Sequence, residues 1–447
     1  MSPAQTYLTL GIFVAVILVL AFDVLDMVIA VLVGACALIV LGILDEHDVA
    51  ESMQSAGGPL ALLFGGMIVA RVLSKTGMFD RISATYLRCT RGSGKRYLLI
   101  LVLLVTPVCA LLPNATTVIL LAPVIIQVAR ALDVDFAAPM VLAAIVSNSA
   151  GMLTLVGDPA TFLVGSSIGL SFTGYLRKVS LGGLLSVLII LPMLPLLMKD
   201  IWRARRPEAA APQSPARIDR PWFAVLALAD LALMVVLFLF GEELPVRIGP
   251  PAVAIIAATL ALLAVYTARV EPVDEVLRAV DWKTLVFLGG VFVLVRGLSK
   301  SGLLQGLSLK VYEWFGADFA MVALAMLLGI GLLSSLIANI PVVAASILMI
   351  KGYMVATEAV PEIALSAEFT DWPTTTLPVF VAMMFGATLG GNATMVGASA
   401  NIVSVGICER NGHRVNFIGF MRYGVPITVA QLAVSALYVL ALDRLLS

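Results

Sequence analysis

Residues 147–166 read SNSAGMLTLVGDPATFLVGS, and the reading of this stretch decides the fold. It lies inside a long apolar segment, yet Asn148, Gly151, Gly157, Asp158 and Pro159 stand where a spanning helix would carry leucine. An unpaired backbone group in hydrocarbon costs several kcal/mol, so irregular backbone persists there only beside protein or a cavity. A twin occurs at residues 386–406, GATLGGNATMVGASANIVSVG, where Thr394 and Gly397 match Thr154 and Gly157 at one offset. Interrupted apolar segments at corresponding places in two halves point to a transporter's binding site.

Working outward, the chain is 61% hydrophobic and 13% charged, against about 25% charged residues in an ordinary soluble domain. Apolar runs near the roughly 20 residues needed to span a bilayer recur from end to end. The composition therefore describes an all-α polytopic membrane protein without a large soluble domain. The first run, residues 7–22, lacks a basic leader and a small-residue cleavage site, so it reads as a retained helix. Cys36, Cys89, Cys109 and Cys408 have neither metal-ligand nor disulfide spacing, and most read as core fillers. His47 and His413 fall in polar connections. Nothing supports a zinc site, a serine–histidine hydrolase, another intramembrane enzyme or nucleic-acid binding, and no cofactor is expected.

Candidate spans lie near 7–22, 26–44 and 58–74. Residues 97–130 are too long for one helix and are split by Pro113-Asn114, which reads as a re-entrant hairpin with Asn114 at its tip. The broken helix 137–169 and a span near 179–198 complete a first repeat, 1–198. A polar linker, 199–220, leads to a second repeat, 221–447. Its spans lie near 222–240, 250–268 and 283–299, followed by a hairpin at 319–350 turning at Ala338-Asn339, a broken helix at 375–408 and a span near 424–443. Arg71-Val72-Leu73-Ser74-Lys75-Thr76-Gly77 aligns with Arg296-Gly297-Leu298-Ser299-Lys300-Ser301-Gly302, and the same offset carries Asn114 onto Asn339. Each half thus has five crossings, one of them interrupted, plus a hairpin. Five is odd, so the second half is expected to be inverted. Cytoplasmic loops carry excess Lys and Arg. The acidic stretches (Asp45, Glu46, Asp48, Glu51; Glu358, Glu362, Glu368, Asp371) and the basic ones (Lys75 to Arg96; Lys199 to Arg220; Arg410, Arg414, Arg422) place both termini outside the cytoplasm. Arg177 and Lys178 fall on the other side of this rule.

LGGNATMVGASANIVSVGICERNG followed by FIGFMRYGVP resembles the C-terminal signature of the P protein (pink-eyed dilution) and arsenite-efflux permease branch of the ion transporter superfamily. SNSAGMLTLVGDPATFLVGSSIGLSFTGY resembles its first-half signature. The resemblance implies a secondary transporter of the bacterial inner membrane, with scaffold and transport domains, hairpin tips meeting broken helices, and a homodimer moving by an elevator. It leaves a cytoplasmic ATPase subunit open. Relatives with Asp-Asn at both tips differ from Pro113-Asn114 and Ala338-Asn339 here, and the Ser-Asn-Thr tips of sodium–dicarboxylate symporters are absent.

Asn114 and Asn339 offer donors and acceptors to a partly dehydrated solute; each could equally cap a half-helix. Thr116 and Thr117 follow the first tip. Asn148, Thr154, Gly157, Asp158, Gly391, Asn392, Thr394, Ser399 and Asn401 lie in or beside the breaks, where they bind solute or satisfy freed backbone. Asp158 is the only acidic residue in either break and precedes Pro159, so it reads both as a helix cap and as the group that binds the coupling ion, H⁺ or Na⁺. Sodium positions are expected near Asn114, Asn148 and Asp158 and near Asn339, Asn392 and Thr394. Asp230, in an apolar span, reads as making a structural hydrogen bond, and Arg71 and Arg296 as snorkelling. No Lys or Arg occupies the central stretches, which favours a small inorganic solute over a multivalent carboxylate, so the leading reading is a proton-coupled or otherwise ion-coupled transporter of such a solute, most like arsenite efflux. The alternatives are a sodium–proton antiporter, a sodium-coupled anion or dicarboxylate symporter, and a passive anion channel.

Overall fold

The computed structural model describes residues 3–21, 24–206, 220–337, 339–365, 369 and 371–446. The sequence readings that rest on Phe22, Arg217, Ala338 and Glu368, and on the linker between 207 and 219, lie outside the described residues. Among those described, every regular element is helical, apart from one isolated bridge between Ser93 and Arg205.

Helices α1 (Pro3–Ala21), α2 (Met27–Val40) and α3 (Glu46–Ser74) come first, then α4 (Met78–Thr90). The first hairpin is α5 (Gly94–Cys109) and α6 (Asn114–Ala131), and the first broken helix is α7 (Ala137–Gly151) and α8 (Pro159–Ser167). Short α9 (Phe172–Lys178) leads into α10 (Ser180–Leu188), α11 (Ile190–Leu197) and α12 (Lys199–Arg203). The second half runs through α13 (Pro221–Phe240), α14 (Pro250–Ala268), α15 (Val273–Arg278), α16 (Trp282–Lys300) and α17 (Leu303–Phe315). The second hairpin is α18 (Phe319–Leu336) and α19 (Asn339–Ala356). The second broken helix is α20 (Leu377–Gly390) and α21 (Ser399–Arg410), and α22 (Phe417–Leu446) ends the chain. Ten helices among the described residues are long and apolar enough to cross a membrane.

Several expectations need correction. The span placed at 58–74 begins at Glu46, so the acidic stretch and His47 are helical rather than a loop. A capping box starts it: Asp48 N donates to Asp45 Oδ1 at 2.9 Å and Asp45 N to Asp48 Oδ2 at 3.1 Å. Carboxylates in a first turn also suit the positive end of the helix. The basic stretch after Lys75 contains the helix α4, whose counterpart is α17. In both halves the repeated motif is a turn with one physical logic. Thr76 Oγ1 donates to Leu73 O and Ser301 Oγ to Leu298 O, each at 2.7 Å. Gly77 (φ 71°) and Gly302 (φ 77°) then take the left-handed conformation that glycine tolerates, and the next helix starts. The span near 179–198 is found as Ser180–Leu197, with a local irregularity at Ile189, and the last span runs longer than 424–443. Of the cysteines only Cys109 and Cys408 are buried, while Cys36 and Cys89 are exposed.

The two halves are tied together by ion pairs that cross between them. Arg71 binds Glu271 through two hydrogen bonds, 3.1 and 2.8 Å, and Lys75 adds a contact at 3.0 Å. Arg296, the match of Arg71, binds Asp48 at 3.1 Å and Glu51 at 2.6 Å, and Lys300 joins Asp48 and Asp45. These arginines are engaged rather than snorkelling. Partial burial raises the Glu271 pKa, but Arg71 and Lys75 outweigh it and hold the carboxyl below its ordinary 4.5. Asp230, by contrast, makes no hydrogen bond with either carboxylate oxygen. The structural bond expected of it is absent.

Outer faces of α2, α13 and α22 expose Val33, Val40, Val225, Val429 and Leu437, as lipid-facing helices do. The broken helices lie deepest: every residue of α20 is buried, and so is nearly all of α7.

Candidate functional site

Both breaks are built alike. Thr154 Oγ1 donates to Ala110 O at the end of α5 (2.5 Å), and Thr394 Oγ1 donates to Ser335 O near the end of α18 (2.6 Å). Each threonine therefore pins its break to its own hairpin. Gly157 is packed so that a Cβ would meet Gly151 O at 2.7 Å and Cys109 O at 2.8 Å. At Gly397 it would meet Gly391 O at 2.6 Å and Ser334 O at 2.9 Å. Close backbone approach is the reason both are glycine. Thr154, Gly157, Gly391 and Thr394 thus support the site from behind.

Asp158 occupies the N-cap position of α8 with Pro159 after it, as the sequence suggests. Its carboxylate makes no cap hydrogen bond. Instead Asn114 Nδ2 lies 3.3 Å from Oδ1, and Thr388 Oγ1 of α20 lies 3.4 Å from Oδ2. Asn114 is the first helical residue of α6, Pro113 holds the cap position, and the amide reaches across to the break instead of capping. Cys109 Sγ lies 3.0 Å from Asn114 Oδ1 and 2.9 Å from Ser147 O, so its single S–H donates to one of the two. Turned over, the same amide would give its nitrogen to Ser147 O (3.3 Å) and Gly157 O (3.1 Å) and point its oxygen at Asp158. That second arrangement places two oxygens face to face and needs a proton or a cation between them.

The remaining amides serve a different purpose. Asn148 Nδ2 donates to Asn392 Oδ1 and Asn401 Oδ1, both at 3.0 Å. Asn392 Nδ2 donates to Ser149 Oγ (3.1 Å) and Gln431 Oε1 (2.9 Å). Gln431 Nε2 donates to Ser149 Oγ (2.7 Å) and Ser186 O (2.8 Å). Asn401 Nδ2 donates to Gly391 O and Thr394 O, both at 2.8 Å. All four amides are buried and hydrogen-bonded, which makes this network a lock between α7, α21 and α22.

In front of the lock lies a cavity of about 340 Å³. Asn114, Thr116, Asn148, Asp158, Asn339 and Ser399 line it, so six of the expected residues converge. The cavity extends to Arg71 at the end of α3 and to Asp281 and Thr284 at the start of α16. Thr117 lies outside this lining; its hydroxyl is buried and bonds Leu112 O at 3.4 Å. Asn392 and Asn401 also stand behind. The first turns of four helices, α6, α8, α19 and α21, contribute to the lining. Each presents free N–H groups and a positive dipole end.

Reading residues one by one missed Thr388, Thr161, Ser149 and Gln431. The repeat held the signal for two of them: Thr388 stands where Asn148 stands in the first half, and Thr161 where Asn401 stands in the second. Gln431 is a lone amide on the buried face of an apolar span.

The profile of the citrate transporter family (CitMHS) matches residues 17–369. An uncharacterized transporter of Synechocystis sp. is 41% identical over 433 residues, covering 96% of each chain. The human P protein is 27% identical over 459 residues, 85% of this chain and 53% of that protein, in keeping with the signatures read in the sequence. Among solved structures, the YdaH transporter of Alcanivorax borkumensis superposes with a TM-score of 0.55 at 12% identity, over 88% of this chain and 86% of that one. That likeness is one of fold.

Proposed function

From the premise that the chain belongs to the citrate transporter family, we propose that this integral membrane protein is an ion-coupled secondary transporter of a small anion or oxyacid. The observation that carries the reading is the convergence of four helix N-termini on one cavity lined, beside the breaks, by the carboxylate of Asp158, with Arg71 and Asp281 as the other ionisable residues of the lining. Helix N-termini favour negative charge, and a lone carboxylate at membrane depth suggests an ion pathway. Arg71, the cationic side chain of the lining, is already paired with Glu271. A small inorganic species therefore suits the floor better than a trivalent carboxylate, which would need an accompanying cation or proton. The carboxylate of the family's name is the second reading, and the family match is what favours it.

In this proposal Asp158 binds the coupling ion, the halves are inverted repeats, and the hairpins and broken helices move as a transport domain against a scaffold of α1–α3, α13, α14 and α16. A homodimer in the inner membrane with both termini outside completes it. The test is solute flux in proteoliposomes with arsenite, antimonite, silicate, sulfate, citrate and sodium, each with and without a pH gradient. Flux that ignores both ion gradients would replace the transporter with a passive channel. Labelling of cysteines placed between residues 199 and 220 tests the orientation; labelling from outside would reverse it.

A further inference from the structure

A second concave surface, a groove of about 620 Å³, runs between α6 and α21. The first turns of both helices line the central cavity and their C-terminal halves line this groove, so the two helices run side by side in one direction. Their last turns bring Arg130 and Arg410 to the same end, where Gln127 and Asn411 complete the mouth. Below the mouth the lining is apolar. Ile126 and Ile407 are buried and form the floor, while Pro123 and Ile119 are exposed along the rim, Ile119 by 55%.

The two arginines are exposed and make no ion pair among the described residues. The carboxylates that follow α6 are engaged elsewhere: Asp133 pairs with Arg206, and Asp135 lies 3.6 Å from His413 Nε2. Glu409 adjoins Arg410 in sequence, but consecutive helical residues do not face each other. An arginine at a helix end can simply reach for water. Here, however, one from each half of the chain arrives at the head of a single apolar groove.

Length identifies the occupant. Ile119 precedes Arg130 by eleven positions, which at 1.5 Å per residue is about 16 Å of helix. Half of the roughly 30 Å hydrocarbon core is about 15 Å. The groove therefore has two cations at the membrane surface and an apolar wall as deep as one leaflet. A free anion would use the arginines and gain nothing from the wall, and an uncharged lipid would do the reverse. A phospholipid with an anionic headgroup uses both, and basic pockets between membrane helices suit such headgroups.

We propose that this groove holds one anionic phospholipid per protomer, its phosphate between Arg130 and Arg410 and one acyl chain along Ile126, Pro123 and Ile119. The leaflet is the inner one in the orientation proposed above. The lipid bridges the first hairpin to the second broken helix. Ile119 and Pro123 also line the central cavity, so the chain backs the wall of α6 that faces the solute. The inference needs only a membrane-spanning chain and holds for any solute or coupling ion.

The experiment titrates the delipidated full-length protein in detergent with phosphatidylglycerol, with phosphatidylcholine of the same chains, and with glycerol 1-phosphate. The readouts are the melting temperature and the number of lipids retained in native mass spectrometry. Phosphatidylglycerol should raise the melting temperature of the wild type, with one molecule retained per protomer, and phosphatidylcholine should shift it far less. Arg130→Gln/Arg410→Gln should bind phosphatidylglycerol about tenfold or more weakly. Without lipid it should melt as the wild type does, because both side chains are exposed and unpaired. Arg88→Gln/Arg422→Gln removes the same charge outside the groove and should keep wild-type affinity. Equal shifts from the two lipids, undiminished affinity in the groove variant, or the same loss in both variants would each overturn the proposal. A glycerol 1-phosphate shift as large as that of the lipid, and lost in the groove variant, would make the mouth a free-anion site and overturn it too.

Discussion

The Asn114 side-chain amide stands 3.3 Å from Asp158 Oδ1, joining a hairpin tip to the break of a helix 44 positions away. The second half has the hairpin asparagine, Asn339, but Ala398 where the carboxylate would be. The cavity therefore has a carboxylate beside one hairpin tip and none beside the other.

This asymmetry sets the outcome of two substitutions. Asn114→Ala should slow transport about tenfold, the effect of losing about 1.4 kcal/mol of contact, and should also weaken ion dependence. Asn339→Ala should lower solute affinity and leave ion dependence intact. Initial rates in liposomes against solute and ion concentration check both; wild-type behaviour in both variants would remove the tips from the site.

Asp158→Asn should fold, because asparagine serves at the N-cap position of α8 as well as aspartate does. It should also uncouple solute movement from the ion gradient. Solute-driven sodium and proton movement in liposomes is the measurement, and normal coupling would shift the ion site to the hydroxyl and amide groups.

Asn401→Ala tests the lock. It strips donors from Gly391 O and Thr394 O and an acceptor from Asn148. Each buried polar group left without a partner costs about 1–3 kcal/mol. A large fall in melting temperature is expected, and an unchanged one would show the network to be dispensable.

Gly397→Ala should destabilise strongly, since the new Cβ meets backbone oxygens at 2.6 and 2.9 Å that cannot yield. Gly406→Ala, within the half-helix α21 that follows the break, has nothing within 4 Å and should be neutral or stabilising by up to about 1 kcal/mol. Equal melting temperatures for the two variants would contradict the packing.

Glu271→Gln should lower the melting temperature at neutral pH by removing the partner of Arg71 and Lys75. The folded-state pKa lies below the ordinary 4.5. The carboxylate's contribution is therefore complete above that value and is lost as pH falls through the folded-state pKa. The difference from wild type should vanish in acid, and a gap that stays constant below pH about 4 would contradict the sign.

The sequence by itself determined the membrane class, the two hairpins, the two broken helices and the asparagine at each tip. These are local signals: Gly, Pro, Asn and Asp inside an apolar run can mean little else in hydrocarbon, and an internal repeat shows each of them twice. It also marked Asp158. Tertiary structure alone decided how the polar groups are shared out. Asn148, Asn392 and Asn401 look as available in sequence as Asn114, but folding turns them on one another and on Gln431. Thr388 reaches Asp158 only because α20 packs beside α8, and Arg71 and Arg296 find their carboxylates in the opposite half. A break in a helix is written in the residues that make it. The partner of a buried hydrogen bond is settled by whichever distant helix the packing brings within about 3 Å.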